Sequence, residues 1–536
     1  MKRRDVAWLA GLIAAGLALR VPGLLTGLWR DEGSTYFDAT APTLAATLRE
    51  IRLAEINPPG YFLLMRAWLA LAGTTDLSMK LPSFVFGIAV VPATYALGRR
   101  LASSEAGLLA AAFAAFSTLG IDLSSDARPY ALGAFLAALS TLAAFRILLA
   151  EADEPLAPAL IFYVVTATAL AYVQYTGLLL ACGLALGAVV CRLALPRLAR
   201  AGTLPTGVRT GTQPTRARVG AFLVANVAVA IAYLPWFPAL GGAGRVSASW
   251  LQPIGPGQFP ARLLEEIGYA LPLDFMRTQF AVLLLVAGAI AIALRRANPA
   301  IAIGAAASLA AFATETWLLL REPRYVFVFT PLTYVLVAFA LVALYRACAA
   351  RLAGRTKSAL GTLATVLGAF VVLSLFAGIP AQSRAFARTV AHPERSGMRE
   401  LVAASHAGFD ARTLIVVAPD YLGPALGYYL RAFPDATVLG IPHGEHPERF
   451  RCCEDAWRRP ALVADAEREI MANARGFTRI AFVYDPGATD RGEIPYSRAL
   501  ELRAKLMRDL PVLSEHAYAG SLEPAAVTVF ATTRRS

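Results

Sequence analysis

The sequence predicts a mostly helical, polytopic membrane protein that ends in a soluble α/β domain. Three observations carry this. The 536 residues are 57% hydrophobic, and only 16% are charged, with a mean hydropathy of +0.54; a soluble domain is typically about a quarter charged. The apolar residues gather into about eleven segments long enough to cross a bilayer, which takes roughly 17–25 residues per helix. Beyond residue 381 the pattern changes to short strands alternating with amphipathic helices.

In order, the spans are expected near residues 6–26, 80–98, 106–121, 130–149, 158–173, 175–195, 219–239, 279–294, 299–320, 325–346 and 358–379. The segments 106–121 and 158–173 are short for a span. Gly60–Gly73 is apolar but shorter still, and is expected in the interface. Lys2, Arg3 and Arg4 before the first run resemble a signal peptide; with no small-residue cleavage site following, the run reads as a retained signal anchor.

Basic residues set the orientation, because cytoplasmic loops carry the excess of Lys and Arg. Lys2–Arg4, Arg99-Arg100, the acid-free 192–218 stretch, Arg295-Arg296 and Arg346–Lys357 all fall on one side under alternating crossings. The N-terminus is then cytoplasmic. The segments 27–79, 122–130, 172–176, 240–278 and 320–324 face outward, as does the tail. The net charge of +13 is accounted for in the same way: the basic residues sit between apolar runs and form no nucleic-acid-binding stripe.

In the tail, Thr413–Pro419, Ala436–Ile441, Arg479–Asp485 and Val527–Thr533 read as buried strands. Met398–Ala407, Ala425–Ala432, Asp465–Arg475 and Ser497–Leu510 read as helices. Two domains are expected: residues 1–380 in the membrane, and 381–536 as an extracytoplasmic α/β domain. Gly202–Gln213 is a cytoplasmic linker. Cys182, Cys191 and Cys348 lie in or beside apolar runs and read as small core residues. His443-Gly-Glu445-His446 followed by Cys452-Cys453 fits no common zinc spacing.

The outward segments hold the candidate chemistry. Asp31-Glu32, between Trp29 and Tyr36, follows the first span directly; two adjacent carboxylates at a bilayer surface are costly to desolvate. They either cap a helix or take a proton from a reacting group. Asn57 lies in a Pro-Pro turn at membrane depth, which breaks a helix or walls a cleft. Asp126, Arg128 and Tyr130 close the next outer turn. Arg128 can grip a phosphate in bidentate fashion and Asp126 contact a sugar or metal, or the pair can stabilise the start of the following helix. Gln174-Tyr175 sits between two close spans, where interhelical hydrogen bonding is the plain reading. Arg321, Arg324 and Tyr325 begin a span on the outer side. Arginine there runs against the positive-inside trend and suits a lipid phosphate.

The order and spacing of these motifs resemble the bacterial dolichyl-phosphate-mannose protein mannosyltransferases and the aminoarabinose transferase that modifies lipid A, both of the GT-C fold class. The marks are Trp29-Arg30-Asp31-Glu32, Asn57-Pro58-Pro59-Gly60-Tyr61, Leu81-Pro82-Ser83 with Gly98-Arg99-Arg100, Asp126-Ala127-Arg128-Pro129-Tyr130 and Pro323-Arg324-Tyr325, over roughly residues 8–380. The resemblance implies an inverting transferase in the bacterial plasma membrane. It would move a sugar from a polyprenyl-phosphate donor to a hydroxyl on a lipid, polysaccharide or protein. It also implies that Asp31 is the general base, Glu32 its supporting carboxylate and Asp126 a contact to substrate or to a possible divalent metal, with Arg128 and Arg324 holding the lipid phosphate. Relatives often carry His or Glu-Lys where this chain has Ile56-Asn57, and His where it has Gln174. The alternative class is a multispanning transporter or lipid-linked-sugar flippase. That class predicts midplane charges and inverted repeats, and the ionisable residues here gather at the outer boundary instead.

Overall fold

The computed structural model describes residues 2–149, 155–200, 214–239, 255–271, 299–318, 323–353, 366, 380, 383–405, 408–444, 454–487 and 494–533. It divides into two compact units. One comprises residues 1–21, 82–238 and 251–392, the other residues 22–81, 239–250 and 393–536. This differs from a boundary at 380/381, because residues 22–81 group with the C-terminal part of the chain.

Among the described residues, seven helices are long and apolar enough to cross a membrane: Arg3–Leu24, Asp76–Leu101, Tyr130–Leu148, Leu156–Val173, Thr176–Leu193, Arg216–Tyr233 and the run Pro323–Leu352. An eighth is a bent pair, Ser104–Phe116 and Thr118–Ser124, broken by 58°. The segment 299–320 forms the helix Pro299–Leu318, whose apolar part, Ile301–Thr316, is shorter than the other spans. The spans expected at 279–294 and 358–379 lie outside the described residues, Val366 apart, as do Arg295-Arg296.

The bend explains why 106–121 reads as a short span. A break frees the last carbonyls of the first helix, and in a lipid phase these must find donors. Arg20 supplies them. Fully buried on the first helix, it donates from Nη1 to Ala115 O at 2.8 Å, from Nη2 to Ala114 O at 2.9 Å and from Nε to Ser124 Oγ at 2.9 Å. Ser117, at the break, accepts the Gly120 N–H at 3.1 Å and the Tyr334 hydroxyl at 2.9 Å.

The C-terminal domain is a five-stranded sheet of order β2-β1-β3-β5-β4, with β1 Thr413–Val417, β2 Thr437–Gly440, β3 Arg479–Tyr484, β4 Val512–Tyr518 and β5 Ala525–Ala531. β1 pairs parallel with β2 and β3, while β5 runs antiparallel to β3 and β4. β1, β3 and β5 are buried runs that the sequence makes visible. β4 is an edge strand carrying Ser514, Glu515 and His516, and it lacks that apolar signal. The helices Leu462–Asn473 and Ile494–Asp509 cover the face carrying Leu414, Val416, Ile480 and Phe482. Met398–Ser405 and Gly423–Leu430 cover the face carrying Ile415, Val417, Ala481 and Val483.

Residues 22–81 are held to this domain by polar contacts. Tyr429 Oη accepts the Leu28 N–H at 2.6 Å and lies 3.1 Å from Asp76 Oδ2. Tyr428 Oη donates to Thr74 O at 2.8 Å, and Arg399 Nη1 to Leu25 O at 2.9 Å. The helix Arg30–Thr40 lies against Gly423–Leu430 so closely that a Cβ on Gly33 would stand 2.5 Å from the carbonyl of Pro424. Buried Lys80 donates to the carbonyls of Gly23, Thr26 and Gly27 at 3.3, 3.0 and 3.0 Å, fixing the turn that leads to Trp29.

Candidate active site

Asp31 and Glu32 lie in the first turn of the helix Arg30–Thr40, where carboxylates favour the helix dipole. The two point to different duties. Glu32 is fully buried; its carboxylate accepts the Trp29 N–H at 3.1 Å and lies 3.8 Å from Arg395 Nη1. This is the helix-capping role that adjacent acids also permit. Asp31 keeps 24% of its side chain exposed and lies 3.7 Å from Arg30 Nε. Asn57 is buried ahead of the helix Gly60–Ala72, which packs on Arg30–Thr40 and buries Tyr61, Phe62 and Met65.

Arg30, part of the sequence motif but given no role there, is engaged on several sides. Its Nη1 donates to Tyr496 Oη at 2.9 Å, and its guanidinium stands 5.0 Å over the Tyr421 ring and 5.9 Å over the Trp29 ring. Its N–H donates to Glu523 Oε2 at 3.1 Å. Burial raises the Glu523 carboxyl to about 8 against the opposing pull of Arg30 and Ser396. Beside Tyr421, burial also raises the Asp420 carboxyl, and its hydrogen bond to His443 Nδ1 works in the opposite direction.

The second group lies in the other unit. Asp126 and Arg128 are both buried in the turn before the helix Tyr130–Leu148, which starts after Pro129. Ser83 Oγ donates to Arg128 O at 3.1 Å, holding the turn against the helix Asp76–Leu101. Gln174 is pressed onto Gly133, where a Cβ would meet its Oε1 at 2.5 Å, and its Nε2 donates to Tyr325 O at 3.3 Å. Tyr325 meets Tyr130 ring to ring at 6.2 Å, and the Arg324 guanidinium stands 5.6 Å over the Tyr325 ring. Tyr175 Oη accepts the Trp236 indole N–H at 3.2 Å. Three of the turns singled out in the sequence, those at Tyr130, Gln174 and Tyr325, thus meet within this unit, while Asp31, Glu32 and Asn57 belong to the other. A buried arginine, Arg128, and a half-buried one, Arg324, on an apolar frame with aromatic neighbours suit a phosphate near the membrane surface.

Arg321, Glu322, Glu445, His446, Cys452 and Cys453 lie outside the described residues. Among the described residues, no three His, Cys, Asp or Glu side chains converge as a metal would need. Sequence reasoning passed over Arg20, Lys80, Arg395, Tyr421, Tyr496 and Glu523. A cation inside or beside an apolar run was the available signal for Arg20 and Lys80. The others become relevant only through contacts hundreds of residues distant in sequence.

Residues 57–199 match the model of the dolichyl-phosphate-mannose-protein mannosyltransferase family. No curated protein sequence matches the chain at a significant level. Among solved structures, ArnT from Cupriavidus metallidurans in the apo state aligns with a TM-score of 0.54 at 14% identity, over 98% of each chain. The same protein bound to undecaprenyl phosphate gives 0.52 at 15% identity, again over 98% of each chain. The oligosaccharyltransferase AglB from Archaeoglobus fulgidus, in complex with an inhibitory peptide and a dolichol-phosphate, gives 0.51 at 12% identity, over 97% of this chain and 74% of that one. Residues 57–199 thus resemble the protein-mannosyltransferase family, and the chain shares its fold with the ArnT structures over nearly its whole length.

Proposed function

We propose that this membrane enzyme transfers a sugar, with inversion, from a polyprenyl-phosphate-linked donor to a hydroxyl acceptor at the outer face of a bacterial plasma membrane. The observation that carries the site assignment is the division of labour at Asp31-Glu32. Glu32 is consumed by the helix start, while Asp31 remains partly exposed beside Arg30. Asp31 accepts the acceptor proton as the hydroxyl oxygen bonds to the anomeric carbon. The bond from that carbon to the phosphate oxygen breaks, and the electron pair leaves with the polyprenyl phosphate. Arg128 and Arg324 stabilise that departing charge. Asp126, Tyr130, Gln174, Tyr175 and Tyr325 shape the phosphate and sugar contacts, with Asn57 on the acid's side. Arg321 would add a further cation. The lipid phosphates bound to the ArnT and AglB structures support a polyprenyl-phosphate donor. The run of basic segments on the opposite side supports the outward assignment.

The test uses purified protein in detergent with a panel of polyprenyl-phosphate sugars and a membrane extract as acceptor. Release of free polyprenyl phosphate is followed for wild type and Asp31→Asn. General-base loss predicts a fall of about 10²–10⁴-fold in the variant, with an unchanged melting temperature. Turnover preserved in Asp31→Asn would remove Asp31 from the mechanism. Donor movement across vesicles without release would favour a flippase.

A further inference from the structure

The C-terminal sheet has a topological switch point. After β1 the chain leaves for the face covered by Gly423–Leu430; after its parallel neighbour β3 it leaves for the opposite face, covered by Ile494–Asp509. In open α/β sheets the crevice at such a point, outside the carboxyl ends of the strands, is where ligands bind. Here the residues following β1 and β3 meet there as Tyr421 and Tyr496, with ring centroids 5.1 Å apart. What rests on them is Arg30, at 5.0 Å from the Tyr421 ring and 2.9 Å from Tyr496 Oη.

Two further contacts come from segments joined to each other by main-chain bonds. Glu523 N–H donates to Arg395 O at 2.8 Å, and Gly397 N–H to Glu523 O at 3.0 Å. From this bridge Glu523 Oε2 accepts the Arg30 N–H, and Ser396 Oγ donates to Glu523 Oε1 at 2.9 Å. Arg395 faces Glu32 at 3.8 Å. The residues on either side of Asp31 are therefore both gripped by the C-terminal domain, and Asp31 itself stands 3.7 Å from the gripped guanidinium.

We propose that the C-terminal domain is a clamp for Asp31. Its switch point is occupied by Arg30 of the same chain in place of a ligand, and Tyr421, Tyr496, Glu523 and Arg395 act as positioning residues. This rests on the reading of Asp31 as the base. Proton transfer tolerates little displacement: an error of about 1 Å can cost about 10²-fold in rate. A base in the first turn of a short helix needs such support, because helix ends fray. The clamp gives the domain a task in the reaction without any contact between it and the sugar.

The test uses the full-length protein in detergent, with wild type, Tyr496→Phe, Glu523→Leu, Glu523→Gln and Asp31→Asn. Two quantities are measured: hydrogen exchange of the amides of residues 28–36, and kcat and KM for release of undecaprenyl phosphate from a panel of undecaprenyl-phosphate sugars. The clamp predicts faster exchange at 28–36 in Tyr496→Phe and Glu523→Leu, with exchange in the membrane spans unchanged. It predicts a kcat lowered at least about tenfold and a donor KM within about twofold of wild type. Glu523→Gln keeps an acceptor for the Arg30 N–H and restores most of the rate. Unchanged exchange at 28–36 in both disrupting variants would overturn the clamp. So would a wild-type kcat in both when Asp31→Asn is inactive. Wild-type turnover in Asp31→Asn would instead defeat the reading of Asp31, and the exchange result would still decide whether the domain holds the segment.

Discussion

At residue scale, two adjacent carboxylates with the same chemistry take different fates because of what lies beside each. Glu32 is three residues into the helix from Trp29, so its side chain reaches back to an orphan N–H, and Arg395 faces its charge. Asp31, one residue earlier, keeps its exposure. Removing Arg324 or Arg128 is expected to slow donor cleavage by about 10²–10³-fold, the usual cost of losing one donor to a developing anion. The check is single-turnover release of polyprenyl phosphate from Arg324→Ala and Arg128→Ala. Glu523 supplies a pH dependence. Its carboxyl is raised from 4.5 to about 8 in the folded protein, so the folded state binds the extra proton across that interval. Stability from this group is fully present below pH 4.5 and is lost as pH rises toward about 8. Melting temperatures of wild type should fall over that window more than those of Glu523→Gln; parallel curves would contradict this.

At the scale of elements, close approach decides. The helix Arg30–Thr40 can lie on Gly423–Leu430 only because Gly33 has no side chain, with the Pro424 carbonyl 2.5 Å from where a Cβ would sit. Gly33→Ala forces main chain against main chain and is expected to cost about 1–3 kcal/mol, as overpacking does. Thermal unfolding in detergent would register this as a lower midpoint. The broken span is the second case. Arg20 answers two carbonyls and one hydroxyl at the bend, and leaving buried polar groups unsatisfied costs about 1–3 kcal/mol each. Arg20→Leu should therefore unfold at lower temperature than wild type even though it makes the helix more apolar. A gain in stability would mean that the bend does not depend on Arg20.

At the scale of the whole molecule, the division into units cuts across the order of the chain. Residues 22–81 belong to the same compact unit as 393–536, and Leu25, Leu28, Arg30, Thr74 and Asp76 all take partners from that C-terminal part. A chain ending at residue 392 should keep its membrane spans but expose residues 22–81 to protease and lose turnover. Limited proteolysis of the truncated protein checks this, and protection equal to wild type would contradict it.

Much of this was legible in the sequence, for a physical reason. Burying an apolar run in lipid and satisfying its backbone requires a helix, so the described spans and the α/β pattern of the tail follow from residue type and spacing. The bend at Ser117, the edge strand β4 and the inward turn of Glu32 depend on partners that no local pattern specifies. Tyr421, Tyr496 and Glu523 gain meaning only when the fold brings them beside Arg30, nearly 400 residues or more away in sequence. Composition and periodicity determined what had to be buried. The tertiary structure decided which buried polar groups answer one another, and through them that Glu32 turns inward to Trp29 and Arg395 while Asp31 stays partly exposed.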